Sequence, residues 1–129
     1  MSKRIPINMN ELLKNKYGNK LEDLKTMLIH TKGVIDLVLH DDEAEAPYVS
    51  AGQICGMFWK EVLHRTYTGE WDTYFAMKSI EALNQVLPAK LQENAEFTAG
   101  FTALMSNPNE KEKGVLNELG LEVKDIDLN

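Results

Sequence analysis

Apolar residues recur at three- and four-residue spacing along most of the chain, the mark of helices that each bury one face. The pattern is cleanest from Trp71 to Leu87. Trp71, Phe75, Ala76, Ile80, Ala82, Leu83, Val86 and Leu87 share one half of a helical wheel, while Thr73, Tyr74, Lys78, Glu81, Asn84 and Gln85 take most of the other. Earlier, Leu24, Met27, Leu28, Val34, Ile35, Val38 and Leu39 share a face, with Lys25, His30, Lys32, Asp36 and His40 opposite. This predicts a helix from Leu21 to about His40, weakened at Gly33 by about 1 kcal/mol relative to alanine. The competing reading breaks the helix at Lys32-Gly33 and makes residues 34–39 a buried strand. A further apolar arc, Ala51, Ile54, Cys55, Phe58, Trp59, Val62 and Leu63, predicts a helix from about Val49 to Thr66.

Punctuation residues set the remaining boundaries. Gly18 suits the end of a short first helix, about Met9 to Tyr17, and Asn19 with Glu22 has the spacing of a capping box for the helix that follows. The Trp71–Leu87 stripe predicts a helix from about Glu70 to Leu87. Pro88 suits the first turn of another reaching about Ser106. Asn109 and Glu112 repeat the capping spacing before a short last helix, which Gly120 ends and Leu121 seals by an apolar contact. The expectation is an all-α fold: an antiparallel bundle of about four long amphipathic helices, with short N- and C-terminal helices. Residues 1–129 form one domain in this reading, with 1–8 an N-terminal arm. Residues 121–129 are a weakly alternating tail that lies along the bundle or pairs as an edge strand.

Charge narrows the function. The 129 residues carry a net charge of −6. Lys3, Arg4, Lys14, Lys16 and Lys20 gather in the first 20 residues, and Asp36, Asp41, Asp42, Glu43 and Glu45 lie together with no Lys or Arg among them. Phosphate neutralisation needs a basic surface, so general nucleic-acid binding is disfavoured, leaving only the short basic arm as a contact for nucleic acid. The chain has one cysteine, Cys55, which excludes an internal disulfide and fits a reducing compartment. The N-terminus lacks the apolar core of a secretory signal, and the longest uncharged run, Ala46 to Trp59, is too short to span a bilayer. A cytoplasmic protein is expected.

Candidate chemistry is sparse. Glu61 and His64 have the Glu-x-x-His spacing of metal-binding bundles, but they fall opposite the apolar arc of their helix. Arg65 offers Glu61 an ordinary i,i+4 ion pair. Cys55 and His64, nine residues apart, fall on opposite faces and make no thiol–base dyad. His40-Asp41-Asp42 reads as a helix end followed by a charged loop. No phosphate-binding glycine loop, nucleophile elbow or Cys-x-x-Cys pair is present. No catalytic, cofactor-binding or metal-ligating residue is therefore expected. Phe58, Trp59, Tyr67, Trp71, Tyr74 and Phe75 either form core or line a small-molecule pocket near Trp71 and Tyr74.

The surface offers more. Ile29 and Leu37 break the pattern of their helix and point away from its core face beside His30. Gly52 and Gly56 stand four apart on a wide apolar arc, where another helix can approach closely. The acids Asp41, Asp42, Glu43 and Glu45 have no cation near them in sequence. Ile29, Leu37 and these four acids are the expected partner-binding residues of a non-catalytic module, with a homodimer as one form of that binding. In size and charge the chain is similar to small acidic inhibitors, immunity proteins and phage-type accessory proteins.

Overall fold

The computed structural model describes residues 18–121. Among them every regular element is a helix: α1 Asn19–Leu39, α2 Pro47–Tyr67, α3 Thr73–Val86, α4 Ala89–Gln92, α5 Ala95–Met105 and α6 Glu110–Glu118. The fold is all-α. Residues 34–39 continue α1, so the strand reading of that stretch is wrong. Its apolar positions keep helical spacing, and Ile35 is buried at 1% exposure. The expected helix at 9–17 and most of the tail, 122–129, lie outside the described residues.

Local chemistry fixes where each helix starts. Pro47 occupies the first turn of α2, where its missing N–H breaks no bond. Asp72 accepts a hydrogen bond from the Phe75 amide at 2.8 Å and so starts α3 three residues later than the apolar stripe suggests. Asn94 accepts from the Glu96 and Phe97 amides and starts a fresh helix. The single helix expected from Pro88 to Ser106 is therefore two, α4 and α5, with Pro88 just outside the first. The capping box of α6 forms as its spacing predicts: the Asn109 side chain accepts from the Glu112 amide at 2.8 Å, and the Glu112 carboxylate from the Asn109 amide at 2.9 Å. Asn19 does not cap α1. It is the first helical residue, and the Leu21 amide bonds to the Gly18 carbonyl at 3.0 Å.

The end of α6 is also as expected. Gly120 takes φ +83, the left-handed conformation that glycine adopts without strain. The Leu121 amide returns to the Leu116 carbonyl at 2.8 Å, and the Gly120 amide to that of Asn117 at 3.0 Å. These are the two bonds of a Schellman cap. Leu121 packs against Leu63, Met105, Val115 and Leu116.

Helix α2 is the axis of the molecule: α1, α3, α5 and α6 all pack on it. Helix α1 runs antiparallel to it, with Asp23 near the start of α1 bonded to Arg65 near the end of α2. The closest packing is against α5, and it runs in step: Val49 faces Gly100, Gly52 faces Phe97 and Phe101, and Gly56 faces Leu104. These two helices lie side by side in the same direction, in contrast to the antiparallel neighbours expected throughout. A Cβ on Gly52 would overlap the Phe97 carbonyl oxygen, and one on Gly100 the Val49 carbonyl oxygen. The glycines thus bring two backbones together. The helix admitted by Gly52 and Gly56 belongs to the chain itself.

The main core joins Leu24 and Ile35 of α1, Ala51, Cys55, Phe58 and Val62 of α2, and Trp71, Phe75, Ala76, Ile80 and Leu83 from the α3 stripe. Trp59, Phe101 and Leu119 bridge it to the smaller cluster of Leu63, Met105, Val115 and Leu116. Val86, expected inside, is 40% exposed at the last turn of α3. No helix among the described residues is long and apolar enough to cross a membrane.

Candidate interaction surface

Helix α1 carries the two most exposed large apolar side chains described, Ile29 at 74% and Leu37 at 73%. They stand eight residues and about 80° apart around the helix at 100° per residue, with exposed Gly33 midway between them. Nothing lies within 4 Å of the place a Gly33 Cβ would occupy. This side of α1 therefore has no cover from the rest of the described chain. Burying such side chains is worth about 1.5–3 kcal/mol each, a gain their own helix does not take.

Leu39 ends α1, and the acidic loop follows it directly. The His40 ring Nδ1 lies 2.8 Å from the Asp36 carbonyl oxygen. A carbonyl only accepts, so Nδ1 carries the proton and closes the last turn. Asp41 accepts from the Glu43 amide at 2.9 Å, a tight local turn. Asp41, Asp42, Glu43 and Glu45 are all exposed. Among the described residues none of the four has an ion-pair partner. Asp36 does: Lys32 holds it at 2.8 Å. The acidic cluster thus narrows from five residues to four, and these sit beyond the helix end that carries Leu37.

Beside this face a groove of about 230 Å³ opens between α1 and α2. Met27, His30, Thr31 and Val34 form one wall, and Ile54, Met57, Phe58 and Glu61 the other. Met57 is 60% exposed at the rim, whereas Phe58 and Thr31 are buried at the floor. Sequence reasoning missed the groove. Its walls mix residues of the apolar stripes, such as Val34 and Phe58, with His30 and Glu61 from the polar sides, and nothing in one helix's pattern shows that they meet until the two helices are placed side by side.

The Glu61–His64 pair lies where the wheel puts it. Both are exposed. The Glu61 carboxylate accepts from Arg65 Nε at 2.8 Å, and the His64 ring packs edge-on to Tyr67 with centroids 5.2 Å apart. Among the described residues no three His, Cys, Asp or Glu side chains are placed to hold a metal ion. Cys55 faces the opposite way, into the core. Burial pushes its thiol from the ordinary 9.0 up to about 12, so it stays protonated and unreactive at neutral pH.

The aromatic set divides. Phe58, Trp71 and Phe75 are core, with Trp71 edge-on to Phe75 at 4.7 Å and the Arg65 guanidinium 5.3 Å from the Trp71 ring. Tyr74 is 37% exposed, with the Lys78 ammonium 5.5 Å from its ring. A broad open depression touches Trp71, but its other walls are Asn19, Lys20, Glu22, Asp23, Thr26, Gly69 and Glu70. Tyr74 does not line it.

No family model, curated protein or solved structure matches the chain.

Proposed function

We propose that this chain is a protein-binding module of the inhibitor, immunity or accessory type, acting through the outer side of α1 and the acidic loop behind it. One observation carries the reading. Two large apolar side chains stand about three-quarters exposed on a well-formed helix, and four carboxylates without an ion pair among the described residues follow at that helix's end. Carboxylates next to a helix C-terminus are unfavourable by about 0.3–1 kcal/mol each when exposed. They do nothing to hold α1 together. They do project a negative field, which draws a positively charged partner and raises its association rate. Exposed apolar area then supplies the burial that keeps the partner bound.

Quantitative affinity capture from the native host tests this, with wild type run beside Asp41→Asn/Asp42→Asn/Glu43→Gln and beside Ile29→Glu/Leu37→Glu. A protein with a basic surface that wild type retains and both variants lose supports the reading. The same captured set from all three chains contradicts it.

A further inference from the structure

Resting on that reading, we propose that the α1–α2 groove seats an amphipathic helix of the partner, with its apolar anchors in the groove and basic side chains over Asp41, Asp42, Glu43 and Glu45. The chemistry of the walls selects a helix. Both walls are helices, whose backbone groups are already paired within themselves, and every regular element described is helical. Among the described residues there is no strand edge for an extended segment to join, so a segment entering here must satisfy its own backbone, as a helix does.

The groove is apolar on both sides, through Met27 and Val34 facing Ile54, Met57 and Phe58. Leu37 stands about one turn beyond Val34, exposed at the loop end of α1 and outside the groove lining itself. From Met27 to Leu37 is about 15 Å at 1.5 Å per residue. That length suits a partner helix of about three turns with anchors at i, i+3 or i+4, and i+7.

Two independent features mark the groove as a seat. Thr31, at its floor, is 93% buried, being 7% exposed. Among the described residues its hydroxyl has no hydrogen-bond partner, although the other buried hydroxyl, that of Ser79, bonds the Phe75 carbonyl at 2.7 Å. A buried hydroxyl without a bond, on a residue that lines the groove, favours a polar group on whatever fills it. Charge gives the second feature. At the Glu61 end the acid is ion-paired to Arg65, a cation it shares with Asp23 and Glu70. At the other end the four loop acids are not. An occupant with basic residues at the loop end matches both.

Two stapled helical peptides of about four turns serve as probes. They share leucine and tyrosine anchors and differ only in carrying Lys and Arg, or Glu, at one end. Binding is read by fluorescence anisotropy, and its place by amide shifts of the labelled protein. The basic-ended peptide should bind at least about tenfold more tightly than its acidic twin and lose that preference in high salt. Its shifts should centre on Met27, Thr31, Val34 and Met57. Met57→Glu, at an exposed rim position that leaves folding intact, should weaken it about tenfold or more. Thr31→Val should weaken the tyrosine-anchored peptide several-fold and spare a phenylalanine version.

Shifts centred elsewhere, equal binding of the two peptides, or no binding of either overturns the groove as the seat. So does self-association of the chain that Met57→Glu abolishes, since a second copy would then be the occupant. If Met57→Glu has no effect while Ile29→Glu or the neutralised loop weakens binding, the groove assignment fails and the wider protein-binding reading stands. If none of these variants changes binding, both fail.

Discussion

Phe75 has no exposed surface and touches Trp71 edge-on, so truncating it leaves a cavity that rigid neighbours cannot fill. Phe75→Ala should lower unfolding free energy by about 3–5 kcal/mol, whereas exposed Gln85→Ala on the same helix should change it by less than about 0.5 kcal/mol. Urea melts of the two variants check this, and equal losses would mean the α3 face is misassigned. Cys55 allows a prediction with a sign. Its folded thiol titrates near 12, above the 9.0 of an exposed thiol. Between these values the unfolded chain has released the proton and the folded one has kept it. This contribution to stability is therefore complete below pH 9 and is lost as pH rises towards 12. Stability measured over that window should fall less steeply in Cys55→Ala than in wild type. The thiol should also resist iodoacetamide at pH 8 until the chain unfolds. At this scale the apolar positions were legible, since a wheel alone places Phe75, Val62 and Glu61 correctly. Thr31 and Ser79 were not. Both are polar residues buried inside helices, and no period in hydrophobicity reveals them.

Among the helices, the two glycine positions of opposite consequence lie on α1 and α2. Gly33 is exposed in mid-helix with open space around it. Gly33→Ala should stabilise by about 0.5–1 kcal/mol by reducing backbone freedom in the unfolded state. Gly52→Ala drives a methyl group into the Phe97 carbonyl oxygen and should destabilise by about 1–3 kcal/mol or more, as overpacking does. Thermal melts distinguish the two signs. Asn94→Ala should cost about 1 kcal/mol, because the Glu96 and Phe97 amides lose their acceptor. Capping explains what was readable here. Asn109 with Glu112, Gly120 and Leu121 carry a complete motif, and the end of the last described helix follows from sequence. Asn94 has no Glu or Gln three residues on, only Phe97, so it passed for an interior position of one long helix. Asn19 had the right spacing but not the right backbone, because the chain turns at Gly18, with φ +45.

For the molecule as a whole, periodicity gives the all-helical class but not the arrangement. The stripes say which face of each helix is buried, and nothing in them says that α2 and α5 run in the same direction. That depends on Gly52 and Gly100 removing side chains from a single crossing. The same limit hid the groove, whose walls come from two helices. Ile29, Leu37 and the four loop acids, by contrast, stood out in the sequence as residues that their own helix does not explain. Their exposure follows, and the binding role proposed for them is a matter for solution measurement. That test compares wild type with Asp41→Asn/Asp42→Asn/Glu43→Gln, first by thermal melting and then by stopped-flow association with the captured partner across a range of ionic strength. The expected result is a melting temperature unchanged or slightly raised, since the helix C-terminus is relieved of charge. Association should be slower at low salt and converge on the wild-type rate as salt screens the field. An unfolded variant would make the cluster structural, and an unchanged melt with an unchanged association rate would contradict the acidic loop as part of the binding surface.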